Sequence, residues 1–374
     1  VASEMTKVIV ALSGGVDSSY AAWLLLKQGY AVEGVCLDLF EGSSAPAEAL
    51  EAGDRLGIQV KVVREHALFH REVVAYFTRT YAAGCTPNPC AVCNPLVKFA
   101  LLCKAAEEAG ADAVATGHYA RIAYDDETGA YTLRRGKDDK KDQSYFLHRL
   151  GQDVLGRVLF PLGDMTKEEV RQAAQSAGLP VALKRDSQEI CFVPDKDYQA
   201  FLRKAQTGGQ DCTDDGGNFA SVDCVDHVDG FAPGDFVDQD GQVLGRHKGI
   251  ACYTIGQHKR LGVSFGKTMY VLAIEADSNR VILGPDEALY TREVRTASNS
   301  YVSGTTPGQA LAVTAKLRSV AKPAKAMYHP MASGEGLLVF DEAARAPAPG
   351  QCAVYYQGDR VLGGGVIVQN VTKE

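Results

Sequence analysis

The run Ser13-Gly14-Gly15-Val16-Asp17-Ser18-Ser19 joins an apolar stretch at 7–12 to an apolar segment at 18–28 that closes on Gly29. The first reads as a buried strand and the second as a helix opening at the serines. Two glycines let the backbone fold around an anion. The amide N–H groups and dipole of the helix end favour negative charge there, and Ser13, Ser18 and Ser19 add hydroxyl donors. The run therefore predicts a phosphate cradle. It is not a Walker loop, because no Lys-Ser or Lys-Thr follows the glycines, and its glycine spacing is not that of the dinucleotide fingerprint. A plain capped turn between strand and helix is the lesser reading, since a cap does not need the whole string.

Outward from this run the chain alternates strand and helix. Residues 32–37 read as a second strand, 46–56 as a helix ended by Gly57, and 58–63 as a strand. Residues 96–109 read as a helix ended by Gly110, and 112–116 as another strand. Strands separated by helices of this length form right-handed crossovers in a doubly wound parallel sheet, with ligands beyond the carboxyl ends of the strands. Thr166 and Glu169 form a capping box for a helix that runs to Ala177 and stops at Gly178. Residues 207–217 are rich in Gly, Asp and Thr, which predicts a linker near a domain boundary. Beyond it, short runs at 269–274, 280–283, 310–317, 336–340, 352–356 and 360–367 are divided by turn residues, so the last third is expected to be all β.

A length of 374 residues with 46% hydrophobic and 23% charged side chains allows two or three cores. The net charge of −7 excludes a histone-like polycation but not a local basic face. The first residues are short and polar, unlike a signal peptide, and no apolar run approaches the roughly 20 residues of a bilayer span. The expectation is a soluble, cytoplasmic protein without a membrane partner. Ten cysteines are too few for a disulfide scaffold of this size, and the clustering of Cys85, Cys90 and Cys93 predicts redox, metal or sulfur chemistry.

That cluster lies in Cys85-Thr86-Pro87-Asn88-Pro89-Cys90-Ala91-Val92-Cys93-Asn94, a two-proline segment leading into a helix. Thiols near a positive helix end are expected to have a lowered pKa. A structural zinc site would need two further ligands at similar spacing, and none follows. Cys191, in Asp186-Ser187-Gln188-Glu189-Ile190-Cys191-Phe192-Val193, looks like a core cysteine on a short buried strand or turn. Three more segments stand out: Thr116-Gly117-His118-Tyr119-Ala120-Arg121, Lys140-Lys141-Asp142-Gln143-Ser144-Tyr145-Phe146-Leu147, and Tyr253-Thr254-Ile255-Gly256-Gln257.

The Ser13 to Ser19 run resembles the signature of the PP-loop ATP pyrophosphatases, and with the cysteine segments the chain resembles the tRNA-specific 2-thiouridylases. The match extends over nearly the whole length, to Pro349-Gly350-Gln351 and Gly363-Gly364-Gly365. The resemblance implies a PP-loop domain at 1–208, a small central β-containing domain at 209–289 and a C-terminal β-barrel at 290–374. It also implies an ATP site at Ala11, Leu12, Ser13, Gly14, Gly15, Val16, Asp17 and Ser18, with Leu37 and Gly117 on adenine or ribose and Asp17 helping to hold Mg2+. Cys191 would carry a persulfide and Cys93 would be its nucleophilic or disulfide partner. Asn88, Pro89 and Cys90 would meet the target uridine, while His118, Lys141, Asp142, Gln143, Arg318, Ser319 and Gln351 would contact tRNA. A sulfur-donor protein or persulfide relay would load Cys191.

The chain departs from the family pattern in two places. Some members carry aspartate where this chain has Cys90, so a carboxylate proposed to move protons is missing. The resulting three-thiol set, Cys90, Cys93 and Cys191, suggests a [4Fe–4S] cluster as an alternative. The stretch 211–229, with Cys212 and Cys224, is longer and more acidic than usual. Arg134, Arg135, Lys137, Lys140 and Lys141, in a turn-like segment, and His258, Lys259 and Arg260 are candidates to track phosphates, although a solvated surface explains any one of them. Two other readings remain: a PP-loop ATPase without catalytic sulfur, such as a lysidine synthetase or amidotransferase-type synthetase, and a non-catalytic nucleotide-gated RNA-binding protein.

Overall fold

The structure, a computed structural model, describes residues 6–179, 190–193, 197–207 and 229–369. The segment 186–189 and the acidic stretch 211–228 with Cys212 and Cys224 lie outside the described residues.

The first domain is built on β1 (Lys7–Ala11), β2 (Ala31–Asp38), β3 (Val60–Arg64) and β4 (Ala113–Ala115), a hairpin of β5 (Ala120–Asp125) and β6 (Ala130–Arg135), and β7 (Val158–Leu159). The order β3-β2-β1-β4-β7 is parallel throughout. Val8, Ile9 and Val10 of the central strand are 0–1% exposed, as expected of a strand covered on both faces. The chain leaves β1 toward β2 on one side and returns to β4 on the other. The carboxyl end of β1 is therefore a switch point, where a crevice opens.

Helix α1 (Val16–Lys27) starts at that crevice, and α2 (Ala45–Leu56) ends on Gly57 in the left-handed conformation. The helix Lys167–Ser176 has the expected capping box, with the Thr166 hydroxyl and the Glu169 carboxylate each accepting from the other's backbone N–H. A helical stretch from His66 to Ala82, absent from the sequence reading, buries Phe69, Val73, Phe77 and Tyr81. The continuous helix Pro89–Ala109 spans 21 residues and is apolar and long enough to cross a membrane. That corrects the expectation of no run near this length. More than half of its apolar window is buried inside the protein, and Phe99, Leu102, Ala105 and Ala106 pack with Ile9 and Val114 of the sheet.

The central domain has β8 (Gly234–Val237), β9 (Val243–His247), β10 (Tyr270–Glu275) and β11 (Arg280–Gly284) in the order β10-β11-β8-β9. The last comprises β12 (Tyr290–Tyr301), β13 (Leu311–Lys316), β14 (Ala324–Pro330), β15 (Gly336–Arg345), β16 (Cys352–Gln357) and β17 (Arg360–Ile367). They run β12-β15-β14-β13-β16-β17, and pairing of β12 with β17 closes them into a barrel, which removes the open edges. The β5–β6 hairpin of the first domain adds to this barrel through Arg134 opposite Arg360. Val302, Cys352, Val354, Tyr356 and Val361 of the barrel share one core with Ile9, Phe99 and Tyr145. The barrel is thus fastened to the first domain.

Candidate active site

The phosphate loop is preformed. The Ser18 hydroxyl donates to Gly15 O at 3.1 Å and accepts from Ser13 N–H at 3.2 Å, and Leu12 N–H is bonded to Val35 O at 2.8 Å. Gly14 has φ of +70°, and a Cβ there would collide with Glu48 at α2, so only glycine lets the loop lie this close to α2. Gly15 caps α1 without a side-chain hydrogen bond, which leaves first-turn amides for an anion. Leu12 and Val16 are buried in the core, and Ser19 Oγ is buried without a hydrogen-bond partner among the described residues. Leu37, near the end of β2, is packed between two apolar clusters.

Gly117 closes this crevice from the β4 side. A Cβ there would stand 2.8 Å from Asp17 C and 2.9 Å from Ser18 N, so the strand end lies against the helix start. Two residues to which the sequence reading gave no role meet at Asp17. Lys167 Nζ donates to both carboxylate oxygens at 2.7 Å, and Tyr119 Oη donates to one at 2.7 Å. Asp17 is thus already paired, and a cation binding there would have to share it with the ammonium. The only sequence signal for Lys167 was its place after the Thr166 cap.

The thiol segment is assembled from distant pieces. Asn88, buried, accepts from Ala91 N–H at 3.3 Å through Oδ1 and starts the helix, with Pro89 next. Asn94 donates to Phe146 O at 2.9 Å. From the barrel, Pro349 O accepts from Thr86 N–H at 2.7 Å, and Gln351 Nε2 donates to Thr86 O at 3.3 Å and Pro87 O at 3.0 Å. Of Asn88, Pro89 and Cys90, only Cys90 is exposed. Cys191 sits on a solvent-facing turn closed by Val193 N–H to Ile190 O at 3.1 Å, not on a buried strand. Phe192 beside it anchors the turn between Phe69 and Phe77, with ring centroids 5.4 and 5.2 Å apart.

Cys90, Cys93 and Cys191 are all free thiols, close enough for their charges to interact. Burial pushes Cys93 up to about 12, opposed by the Lys98 ammonium and reinforced by Cys191 and Cys90. Cys90 and Cys191 keep solvent-facing surface, yet crowding on their other sides raises both, again against Lys98. The expected lowering of these thiols is therefore overturned: desolvation outweighs the helix end, and Cys93 lies a full turn inside the helix. Among the described residues no three His, Cys, Asp or Glu side chains, these thiols included, are grouped to hold a metal ion.

His118 and Lys98 join the two halves. The His118 ring stacks on Phe99 at 5.9 Å, and its Nδ1 is 2.6 Å from Thr116 Oγ1. Burial first, then Lys98, holds its pKa well below the usual imidazole range, so it meets a partner as a neutral ring. Gly117 touches the phosphate loop, and its chain neighbour His118 rests on Phe99. The chain neighbour of Phe99 is Lys98, the cation of the thiols.

Other expected contact residues have structural duties. Gln143 Oε1 accepts from Tyr119 N–H at 2.9 Å, and the buried Asp142 carboxylate accepts from Gly136, Ser144 and Arg135. Lys141 N–H bonds Asp138 O at 3.0 Å. Arg318 donates to Ile255 O at 2.9 Å and Ala346 O at 3.2 Å, with half-exposed Ser319 beside it. Arg134 and Arg135 lie on β6 rather than in a turn. Together with Lys137 they are ion-paired to Asp359, to Asp139 and Asp142, and to Glu169 respectively, which weakens the expectation that they track phosphates.

A phosphate loop at the switch point of a parallel sheet, linked to a thiol cluster under a β-barrel, defines a nucleotide-using enzyme with sulfur chemistry. Family models match in three consecutive blocks: the tRNA methyl transferase HUP domain at 6–195, the tRNA methyl transferase PRC-barrel domain at 223–285, and the aminomethyltransferase beta-barrel domain at 291–367. The tRNA-specific 2-thiouridylase MnmA of Heliobacterium modesticaldum is 44% identical, covering 97% of this chain and 93% of its own. That of Syntrophomonas wolfei is 44% identical over 96% and 99%, and that of Magnetococcus marinus 43% over 97% and 99%. The chain belongs to the tRNA-specific 2-thiouridylase MnmA family.

Proposed function

We propose that this enzyme uses ATP to replace O2 of a tRNA uridine with sulfur. The observation that carries the reading is the direct path from phosphate loop to thiols through Gly117–His118 and Phe99–Lys98. Uridine O2 attacks the α-phosphate, and pyrophosphate departs against the amides of the 13–19 loop. The C2 carbon, now bearing an adenylate, is attacked by the terminal sulfur of a Cys191 persulfide. Cys93 thiolate then attacks the Cys191 sulfur, forming a Cys93–Cys191 disulfide, and AMP leaves with the former O2. Two thiols are oxidised while the sulfane sulfur is reduced to the thiocarbonyl, so a thiol reductant resets the enzyme.

Cys191 on its solvent-facing turn is open to a sulfur-donor protein, whereas half-buried Cys93 waits behind it. Mg2+ would come with ATP and would neutralise phosphate charge there, and Asp17, which Lys167 holds, would be the carboxylate nearest to it. An anticodon wobble uridine suits the site, since a loop base leaves its stack at a cost of only a few kcal/mol. A lysidine-type ATPase would have no use for the paired thiols.

The test is AMP formation from ATP with and without unmodified tRNA. Formation of AMP that requires tRNA, and that in Cys191→Ser gives way to pyrophosphate release alone with no sulfur transfer, is the expected result. AMP production indifferent to tRNA would contradict adenylation of a base.

A further inference from the structure

Lys98 has no place in the sequence motifs, and its spacing argues against one. In a regular α-helix a residue five positions after Cys93 is rotated by about 140° around the axis, away from the thiol. The helix is not regular here. Residues Asn94–Lys98 form a π turn, with Phe99 N–H bonded to Asn94 O, and the wider turn brings the fifth residue back toward the face of the first. Cys93 is its N-terminal flank and Lys98 its last residue.

Three further observations locate the ammonium. Lys98 is half-buried, and among the described residues it forms no ion pair with a carboxylate. Cys90, Cys93, Cys191 and His118 all lie within its electrostatic reach. The carboxylates of the phosphate loop and its flanks, Asp17 and Asp142, are instead held by Lys167 and Arg135. A half-buried ammonium with no carboxylate partner among the described residues, within electrostatic reach of three thiols, is offset by an anion.

We propose that Lys98 is a positioning residue whose ammonium, turned toward Cys93 by the π turn, is the counter-charge for anionic sulfur at Cys90, Cys93 and Cys191. Its use in sulfur transfer rests on the function proposed above, but the charge on the thiols does not. Alkylation reads the charge without tRNA or ATP.

Iodoacetamide labelling of the whole protein, followed at each cysteine by tandem mass spectrometry across pH 6 to 10, gives the thiolate profile. Lys98→Met is expected to slow labelling of Cys93 and Cys191 at pH 8 by roughly tenfold, one pKa unit, with Cys103 unchanged and Lys98→Arg close to wild type. Profiles at Cys93 and Cys191 that superimpose on wild type would overturn the proposal. Should Lys98→Met expose buried Cys36 and Cys352, the wild-type protein decides alone. Negatively charged iodoacetate should label Cys191 faster, relative to neutral iodoacetamide, than it labels a free cysteine peptide, and this preference should fade in high salt. Equal ratios for Cys191 and the peptide would sink the idea. Normal thiolation with a lost charge effect would separate this failure from failure of the enzymatic reading.

Discussion

The phosphate loop and the thiol site differ in how they are made. The loop is local: seven consecutive residues, a strand before and a helix after, with Ser13, Gly15 and Ser18 bonded among themselves. The thiol site comes from residues 85–98, the turn at 190–193 and the barrel segment 349–351, which meet only in the folded chain. A local anion site needs only backbone geometry. Thiols from distant segments require tertiary scaffolding, and here the barrel holds 86–87 while Phe69 and Phe77 hold the 190–193 turn. The two halves should therefore respond to different substitutions.

The largest effect is expected from Gly117→Ala. Its Cβ would press on the backbone of Asp17 and Ser18, and overpacking of about 1–3 kcal/mol predicts up to roughly a hundredfold weaker ATP binding by calorimetry. Labelling of Cys191 should be unchanged; a change there would mean that the two regions are one unit. Gln351→Ala should do the reverse. Losing two hydrogen bonds to the 86–87 carbonyls, about 1 kcal/mol each, should cut sulfur transfer roughly tenfold or more while ATP affinity stays the same.

The contrast also explains what was legible. The 13–19 loop, the parallel sheet and the Thr166 capping box are sequence-local and stand in the structure as read. Strands β12 and β14 were missed because their faces alternate with charged or polar residues such as Arg292, Glu293, Lys325 and His329, which blurs the apolar runs. The hairpin at 120–135 was not assigned to the barrel because its pairing partner lies more than 200 residues away. Lys98 was hidden by a π turn that no α-helical spacing anticipates. The thiol pKa was misjudged because sequence shows a helix end but not burial.

Smaller effects follow from charge. His118 and His148 are held neutral by burial, His148 near 3. The unfolded chain takes up protons at the ordinary imidazole pKa of 6.5 while the folded one does not. Stability is therefore present above that pH and lost as pH falls below it. Cys93 works in the other direction: folded at about 12 against an ordinary 9.0, it costs stability as pH rises through that window. A melting temperature that peaks between these limits is expected, and His118→Gln should flatten the acid side. A melting curve indifferent to pH from 5 to 7 would contradict the buried neutral rings. Least of all, Lys137→Ala should change tRNA affinity within about twofold, since an exposed cation already paired with Glu169 has little to give.

In the proposed reaction, two thiols from distant parts of the chain move sulfur to a base activated at the phosphate loop. Mass spectrometry of nucleosides tests it, on unmodified tRNA incubated with ATP, Mg2+ and a sulfide source and either wild type, Cys93→Ser or Cys191→Ser. Thiouridine and AMP with wild type alone, and pyrophosphate with all three, is the predicted result. Thiouridine at wild-type levels from either variant would contradict it.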